Sequence, residues 1–404
     1  MSSQTSAGGN LLQRLTSLPS ETYLGLLGYV FIGTAAVLVP SVMPFITEEY
    51  TNAGITLAAI ALIFPARSVG AIVGNVFAGV GSDLVGAQRL VWLSALGLAL
   101  ALFLTAISQM WLLFVTGFVF VSATQGALST GINTMIADAN RKARARALNT
   151  LHGVYGAGAA VSPLVIGYFL DQGVAWRWAL GATGLLWLLY GVGAYLLYRE
   201  SSGERAKSGK LDLSMLRDRP FLALFFIAFV YNGVAVSLLG WIAVIIQQAG
   251  GFSMFFSVSM ISVFYVALTV GRFLCAAYAE RRGYAFMLLV LSWGITLTYP
   301  IVVFGLNSYV IVVGVFLTGL SLSGLFPTGL AFGSRLYPEQ TGTVTATLNL
   351  AMTAGATLPP WWTGILADRW GFQTALAVNF VMIVPLVAVA LYLRRVERDV
   401  TSNA

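Results

Sequence analysis

The stretch Gly79–Arg89, GVGSDLVGAQR, is a short polar turn set between two long apolar runs, and its reading decides the fold. Ala277–Gly283, AYAERRG, occupies the same kind of place further on, and the two turns register at an offset of 197 residues, Asp83 with Glu280 and Gly86 with Gly283. The same offset pairs Gly74 with Gly271, Gly158 with Gly355, Pro163 with Pro360, Gly167 with Gly364 and Asp171 with Asp368. Glycine matches arise by chance in glycine-rich sequence, but acidic and proline matches on one offset are much harder to obtain. The chain reads as an internal duplication.

Working outward from these turns, the apolar runs set the class. Of 404 residues, 58% are hydrophobic and only 9% charged, with a mean hydropathy of +0.84. No soluble domain of this length carries that composition on its surface, so lipid is the expected solvent. A bilayer core of about 30 Å needs about 20 apolar residues as helix. Twelve such runs fall near 22–46, 55–81, 90–108, 110–136, 146–170, 176–198, 221–247, 255–279, 284–305, 309–336, 342–366 and 372–394. They are continuous rather than alternating, which excludes a β-barrel. The expected fold is an all-α integral membrane protein of twelve transmembrane helices in two six-helix halves. Its divisions are a tail 1–21, a first bundle 22–199, a linker 200–220, a second bundle 221–396 and a tail 397–404.

Charge orients the bundle. One alternate set of connections holds Arg14, Arg89, the Arg141–Arg146 cluster, the basic linker, Arg281, Arg282, Arg335, Arg394, Arg395 and Arg398; the other holds only Arg177 and Arg369. The positive-inside rule therefore predicts a multi-pass protein of the cell (inner or plasma) membrane with both termini cytoplasmic. The net charge of +7 is explained by these loops, and no nucleic-acid partner is expected. The N-terminus lacks a basic region followed by a short apolar core, so no cleaved leader is expected. A single cysteine, Cys275, excludes an intrachain disulfide. The linker segment Leu211–Arg219 alternates apolar and charged residues and reads either as a short helix on the membrane face or as a plain tether.

On these residues the chain resembles the major facilitator superfamily over nearly its whole length. GVGSDLVGAQR looks like that family's loop between helices 2 and 3, with Asp83, Gly86 and Arg89 in place, and Glu280, Arg281 and Gly283 stand at its repeat. The resemblance implies a gating latch at these turns, with Arg272 among the motif residues. A second stretch, Gly131-x-Asn133 followed by ARALNTLHGVYGAGAAVSP from Ala145 to Pro163, is similar to the fucose and glucose proton symporter branch. There an acid often stands four residues before the Asn; here the position is Ser129. The resemblance further implies a central site between the halves, alternating access, and function as a monomer.

All fifteen Asp and Glu residues fall in loops or at helix ends, so no carboxylate is expected near the midplane. The ionisable groups left inside the apolar runs are His152, Arg67 and Arg272, and such groups are costly there unless they serve a function. Asn149, His152 and Tyr155 share one helical face. Two readings stand for His152, a proton-coupling site or a hydrogen-bonded packing residue. Arg67 lies sixteen residues before Asp83, about 24 Å along a helix. It either binds substrate through its fork of donors or pairs with Glu48 or Glu49 as a latch. Arg272 reads as a structural partner for helix-end groups or as half of an anion site.

The family's cavity helices offer Tyr29, Thr34, Gln125, Asn133, Tyr231, Asn232, Trp241, Ser321, Ser323 and Thr328, hydrogen bonders suited to sugar hydroxyls or, alternatively, to joining helices. No phosphate-binding Gly-Lys loop is present, so ATP does not drive the process directly, and one His without a buried acid leaves no enzyme site. No cofactor and no metal are expected. The function expected is a secondary transporter or facilitator for a sugar or similar small polar solute, working on a small-molecule substrate in the lipid bilayer with protons as a candidate coupling ion. The alternatives are an exporter of amphipathic compounds and an organic-anion carrier using Arg67 and Arg272.

Overall fold

Lipid offers no hydrogen bonds, so an apolar chain satisfies its backbone internally, and each predicted run is a helix. The computed structural model describes residues 19–140, 144–198, 214–249, 251–305 and 307–402. The first half comprises α1 (Ser20–Asn52), α2 (Ile63–Val85, preceded by the single turn Leu57–Ile60), α3 (Ala87–Ile107), α4 (Trp111–Ala139), α5 (Arg144–Asp171) and α6 (Arg177–Tyr198). The second comprises α7 (Arg219–Ala249), α8 (Met254–Arg282), α9 (Tyr284–Val303), α10 (Ser308–Leu322 and Leu325–Leu336), α11 (within Thr341–Ala377) and α12 (completed by Phe380–Ser402). Eleven apolar stretches among the described residues are long enough to cross a membrane. The last of these spans 62 residues and folds back at Gly371, where φ is 77°, so it contains both α11 and α12.

The duplication is visible in backbone geometry. Gly86, before α3, has φ 84° and ψ 152°; Gly283, before α9, has φ 95° and ψ 145°. A side chain rarely adopts this left-handed region, so the two turns need glycine. Gly283 also leaves room for Glu397 of α12, whose carboxylate accepts from the Tyr284 N–H at 2.9 Å and the Ala285 N–H at 3.1 Å. An acid at these unpaired donors stabilises the start of α9.

Small residues set the seams within each half. Gly33 of α1 packs on the Tyr155 carbonyl of α5 while Gly158 of α5 packs on the Val30 carbonyl of α1. In the second half Gly233 of α7 meets Pro359 and Gly355 of α11 packs on the Phe229 carbonyl. Backbones approach this closely only where no Cβ intervenes. The reverse side of each bundle exposes large apolar side chains, Leu112 at 72%, Phe273 at 74% and Val381 at 77%, the surface lipid covers.

The halves meet unevenly. At the face away from the termini, the Leu57 N–H donates to Asp368 Oδ1 at 3.2 Å and the Phe255 N–H donates to Asp171 Oδ1 at 3.1 Å. Phe64 of α2 packs on Trp241 of α7 with ring centroids 5.7 Å apart, and Gly364 of α11 lies against Ala61. The α5 and α8 helices pack along this part, as do α1 and α7. Toward the face carrying the termini, the described residues show no comparable packing of α4 on α10, His152 and Asn349 are exposed, and Gly153 has open space beside it. Among the described residues the bundle is closed at one face and open at the other.

The tails 1–18 and 403–404 and linker residues 199–213 lie outside the described residues. The linker ends in a 3-10 turn, Ser214–Arg217, whose Met215 is buried beside Leu336 and Tyr337. This end of the linker docks on protein rather than on lipid.

Candidate functional site

Below the closed face, side chains from both halves gather around Tyr155. The Tyr155 and Tyr265 hydroxyls, from α5 and α8, face each other across the interface between halves. Arg67 of α2 lies within electrostatic reach of both. Arg67 stands ten residues past Leu57 and Tyr265 ten past Phe255, so each lies about 15 Å beneath its latched helix start. That depth is half of a hydrocarbon core of about 30 Å.

Arg272 of α8 donates from Nη2 to the Tyr231 hydroxyl at 3.3 Å, and Tyr231 stacks on Phe326 with centroids 6.0 Å apart. The Arg272 Nε is buried without a hydrogen-bond partner. His152 lies near Arg272 and meets the edge of Tyr29, ring centroids 5.4 Å apart at 85°. Tyr29 is held by α4: its hydroxyl is 3.1 Å from Ser129 Oγ, and the Asn133 amide donates to it and, at 2.8 Å, to the Ser129 carbonyl. One wall is thus hydroxyl and amide, from Tyr29, Ser129 and Asn133. Arg67 and Arg272 bring positive charge to the same cluster.

The structure gathers Tyr29, Asn133, His152, Tyr155, Arg67, Tyr231 and Arg272 of the predicted site residues. It separates others. Trp241 is fully buried, donates to the Pro360 carbonyl at 2.9 Å and packs on Phe64 and Phe372, so it belongs to the closed face and not to the cavity wall. Asn232 donates to the Met352 carbonyl at 2.8 Å and ties α7 to α11. Ser321 donates to the Leu317 carbonyl at 2.8 Å and fills the space beside Gly294, within the α9–α10 seam. Gln125 is half-buried on α4. The side chains of Asn149, Asp83 and Glu280 lie outside the described residues.

A latch from Arg67 to Glu49 does not form, because Arg177 takes that carboxylate: its Nη2 donates to Glu49 Oε1 at 2.5 Å, while Nη1 donates to the Ala106 and Ser108 carbonyls at 3.0 and 2.7 Å. Among the described residues no acid pairs with Arg67. Glu48 is exposed at the closed face. Ser129 and Tyr265 enter the cluster without having been singled out as site residues. Ser129 lies one turn before Asn133, a spacing legible on a helix. Tyr265 carries no such sign, because its apolar neighbours match any membrane helix.

Comparison with known proteins is consistent in direction. Residues 25–304 match the family model described as Major Facilitator Superfamily. The chain is 22% identical over 398 residues, covering 94% of itself and 96% of the relative, to the glucose/mannose transporter GlcP of Bacillus subtilis (strain 168). Among solved structures it resembles the nucleoside transporter NupG with a TM-score of 0.77 at 13% identity, covering 92% of this chain and 98% of that one. It also resembles a bacterial homolog of the human lysosomal transporter Spinster in an inward-facing, unoccupied conformation, with a TM-score of 0.73 at 14% identity and coverage of 93% and 97%.

Proposed function

Because the chain belongs to the Major Facilitator Superfamily and is therefore a membrane transporter of small molecules and not an enzyme, we propose that its substrate is a sugar or similar small polar solute, carried by alternating access. The observation that carries this reading is the bonded group of Tyr29, Ser129 and Asn133 beside Tyr155, which itself meets Tyr265 and Tyr231 of the second half, so that hydroxyls and an amide gather with aromatic rings from both halves. Sugar hydroxyls both donate and accept, and these groups do the same. The similarity to a glucose/mannose transporter supports the same class.

The two halves rock about this cluster. With the basic loops inside, the open face is cytoplasmic and the Phe64–Trp241 closure faces outward. Arg67, Tyr29, Asn133, Tyr155 and Tyr231 contact substrate, and Asn149 and Gln125 line its path. His152 is the group through which a proton gradient acts, since histidine exchanges a proton near neutral pH and, among the described residues, no carboxylate reaches the cluster to do so. The gating turns carry Asp83, Arg89, Glu280 and Arg281. The protein works as a monomer without cofactor.

Purified protein in liposomes, given labelled hexoses with and without an imposed pH gradient, tests this. Saturable hexose or sugar-derivative uptake that competes with unlabelled substrate is expected. Binding confined to lipophilic compounds would sink the sugar reading.

A further inference from the structure

Two permanent cations stand inside this membrane protein, Arg67 near mid-depth and Arg272, seventeen residues past Phe255, about 25 Å beneath the closed face, and among the described residues no acid is bonded to either. Arg67 is half-buried about 15 Å beneath the closed face, with the Tyr155 and Tyr265 phenols within electrostatic reach. Arg272 spends one Nη on Tyr231 and keeps its Nε buried and unpartnered. Both guanidinium groups lie within electrostatic reach of Tyr155, so both border the cluster around it, Arg67 above and Arg272 below. His152, the third basic group, lies near Arg272. Among the described residues no Asp or Glu side chain reaches this cluster; Glu49 is bound to Arg177, and Asp171 and Asp368 cap helices at the closed face.

An unpaired charge away from water is costly, and like charges brought together cost more. A structural arginine in a membrane helix is ordinarily spent on a carboxylate or on carbonyl groups, as Arg177 is here on Glu49, Ala106 and Ser108. Arg67 and Arg272 are not spent in that way. A guanidinium fork with free donors matches two oxygens of a carboxylate or phosphate. The nearby group of Tyr29, Ser129 and Asn133 matches hydroxyls.

We infer that the solute is an anionic sugar derivative, its carboxylate or phosphate seated between Arg67 and Arg272 and its hydroxyls on Tyr29, Ser129 and Asn133. This inference rests on the sugar reading and adds the charge. The anion completes the site electrostatically, so the loaded cavity is close to neutral where the empty one is positive. A neutral hexose leaves both arginines unpaired and binds weakly.

The test is a binding panel on the purified full chain: glucose, gluconate, glucuronate, glucose 6-phosphate, acetate and inorganic phosphate. At least one anionic sugar is expected to bind ten-fold or more tightly than glucose, and more tightly than acetate or inorganic phosphate; whether the sugar acids or the sugar phosphate prevail identifies the anion. Arg67→Gln and Arg272→Gln are each expected to weaken that ligand more than ten-fold and to weaken glucose by a smaller factor. Arg67→Lys is expected to retain part of the affinity. If glucose binds as tightly as its acids and phosphate, the inference is overturned while the sugar reading stands. If acetate or phosphate binds as tightly as the sugar derivatives, both fail. The wild-type panel decides the matter even where a Gln variant does not fold.

Discussion

Asp368, at the far end of α11, accepts the Leu57 N–H at 3.2 Å, and its repeat partner Asp171, at the far end of α5, accepts the Phe255 N–H at 3.1 Å. Each acid thus lies at the helix start of the opposite half, so the duplication closes one face with two reciprocal latches. A carboxylate at a helix N-terminus is favoured by unpaired N–H donors and by the helix dipole, by on the order of 1 kcal/mol per latch. In the proposed alternating-access cycle, opening this face breaks both bonds.

Asp368→Asn and Asp171→Asn are therefore expected to shift the resting population toward opening at this face, each by about five-fold, since 1.4 kcal/mol is a factor of ten. Spin labels at the exposed positions Asn52 and Gln248, one at the end of α1 and one at the end of α7, measure it. A longer mean distance in each single variant, and a longer one still in the double, is the expected result. Unchanged distances would show that Phe64 and Trp241 hold the face without the acids.

Gly158 touches the Val30 carbonyl of α1, whereas Gly153, five residues earlier on the same helix, has nothing within 4 Å. Gly158→Val is expected to force α1 and α5 apart at a cost of about 1–3 kcal/mol, lowering the melting temperature or abolishing expression. Gly153→Ala is expected to be neutral or slightly stabilising, because alanine favours helix more than glycine by about 1 kcal/mol. Thermal unfolding in detergent compares the two.

Asn379 is fully buried at the start of α12 and donates to Ser237 Oγ and the Tyr299 hydroxyl, each at 3.0 Å, while accepting from Trp362 Nε1 at 2.9 Å. One side chain joins α7, α9, α11 and α12. Asn379→Leu leaves the Trp362 N–H without its acceptor, while Ser237 keeps Thr363 at 2.7 Å and Tyr299 keeps the Leu376 carbonyl at 3.1 Å, so the cost is about 1–3 kcal/mol for the one group left unsatisfied. A clear fall in melting temperature is expected, without a change in ligand preference among the molecules that remain folded.

His152→Gln is expected to abolish accumulation driven by a pH gradient while sparing exchange, which needs no net proton movement. Paired assays in liposomes, uptake against a gradient and counterflow without one, separate the two processes. Accumulation equal to the wild type would leave His152 as the edge partner of Tyr29 and nothing more.

Much of this protein was written in one dimension. Lipid forces any continuous apolar run into helix, so composition and run length were enough to read the spans, and a fixed 197-residue offset was enough to read two like halves. Gly86 and Gly283 were legible for the same reason, since a tight polar turn between membrane helices needs a left-handed residue. The cluster of Tyr29, Asn133, His152 and Tyr155 was partly legible, because residues three and four apart share a helical face.

Which face meets which neighbour is decided only by packing between distant helices. Trp241 looked like cavity lining until the fold placed it against Phe64 and Phe372, and Glu49 looked available to Arg67 until the fold gave it to Arg177. Tyr265 looked like any residue of an apolar helix. A membrane helix is apolar on every side, so its sequence carries little record of inside and outside; the small-residue seams and the two reciprocal latches supply that choice, and with it the site.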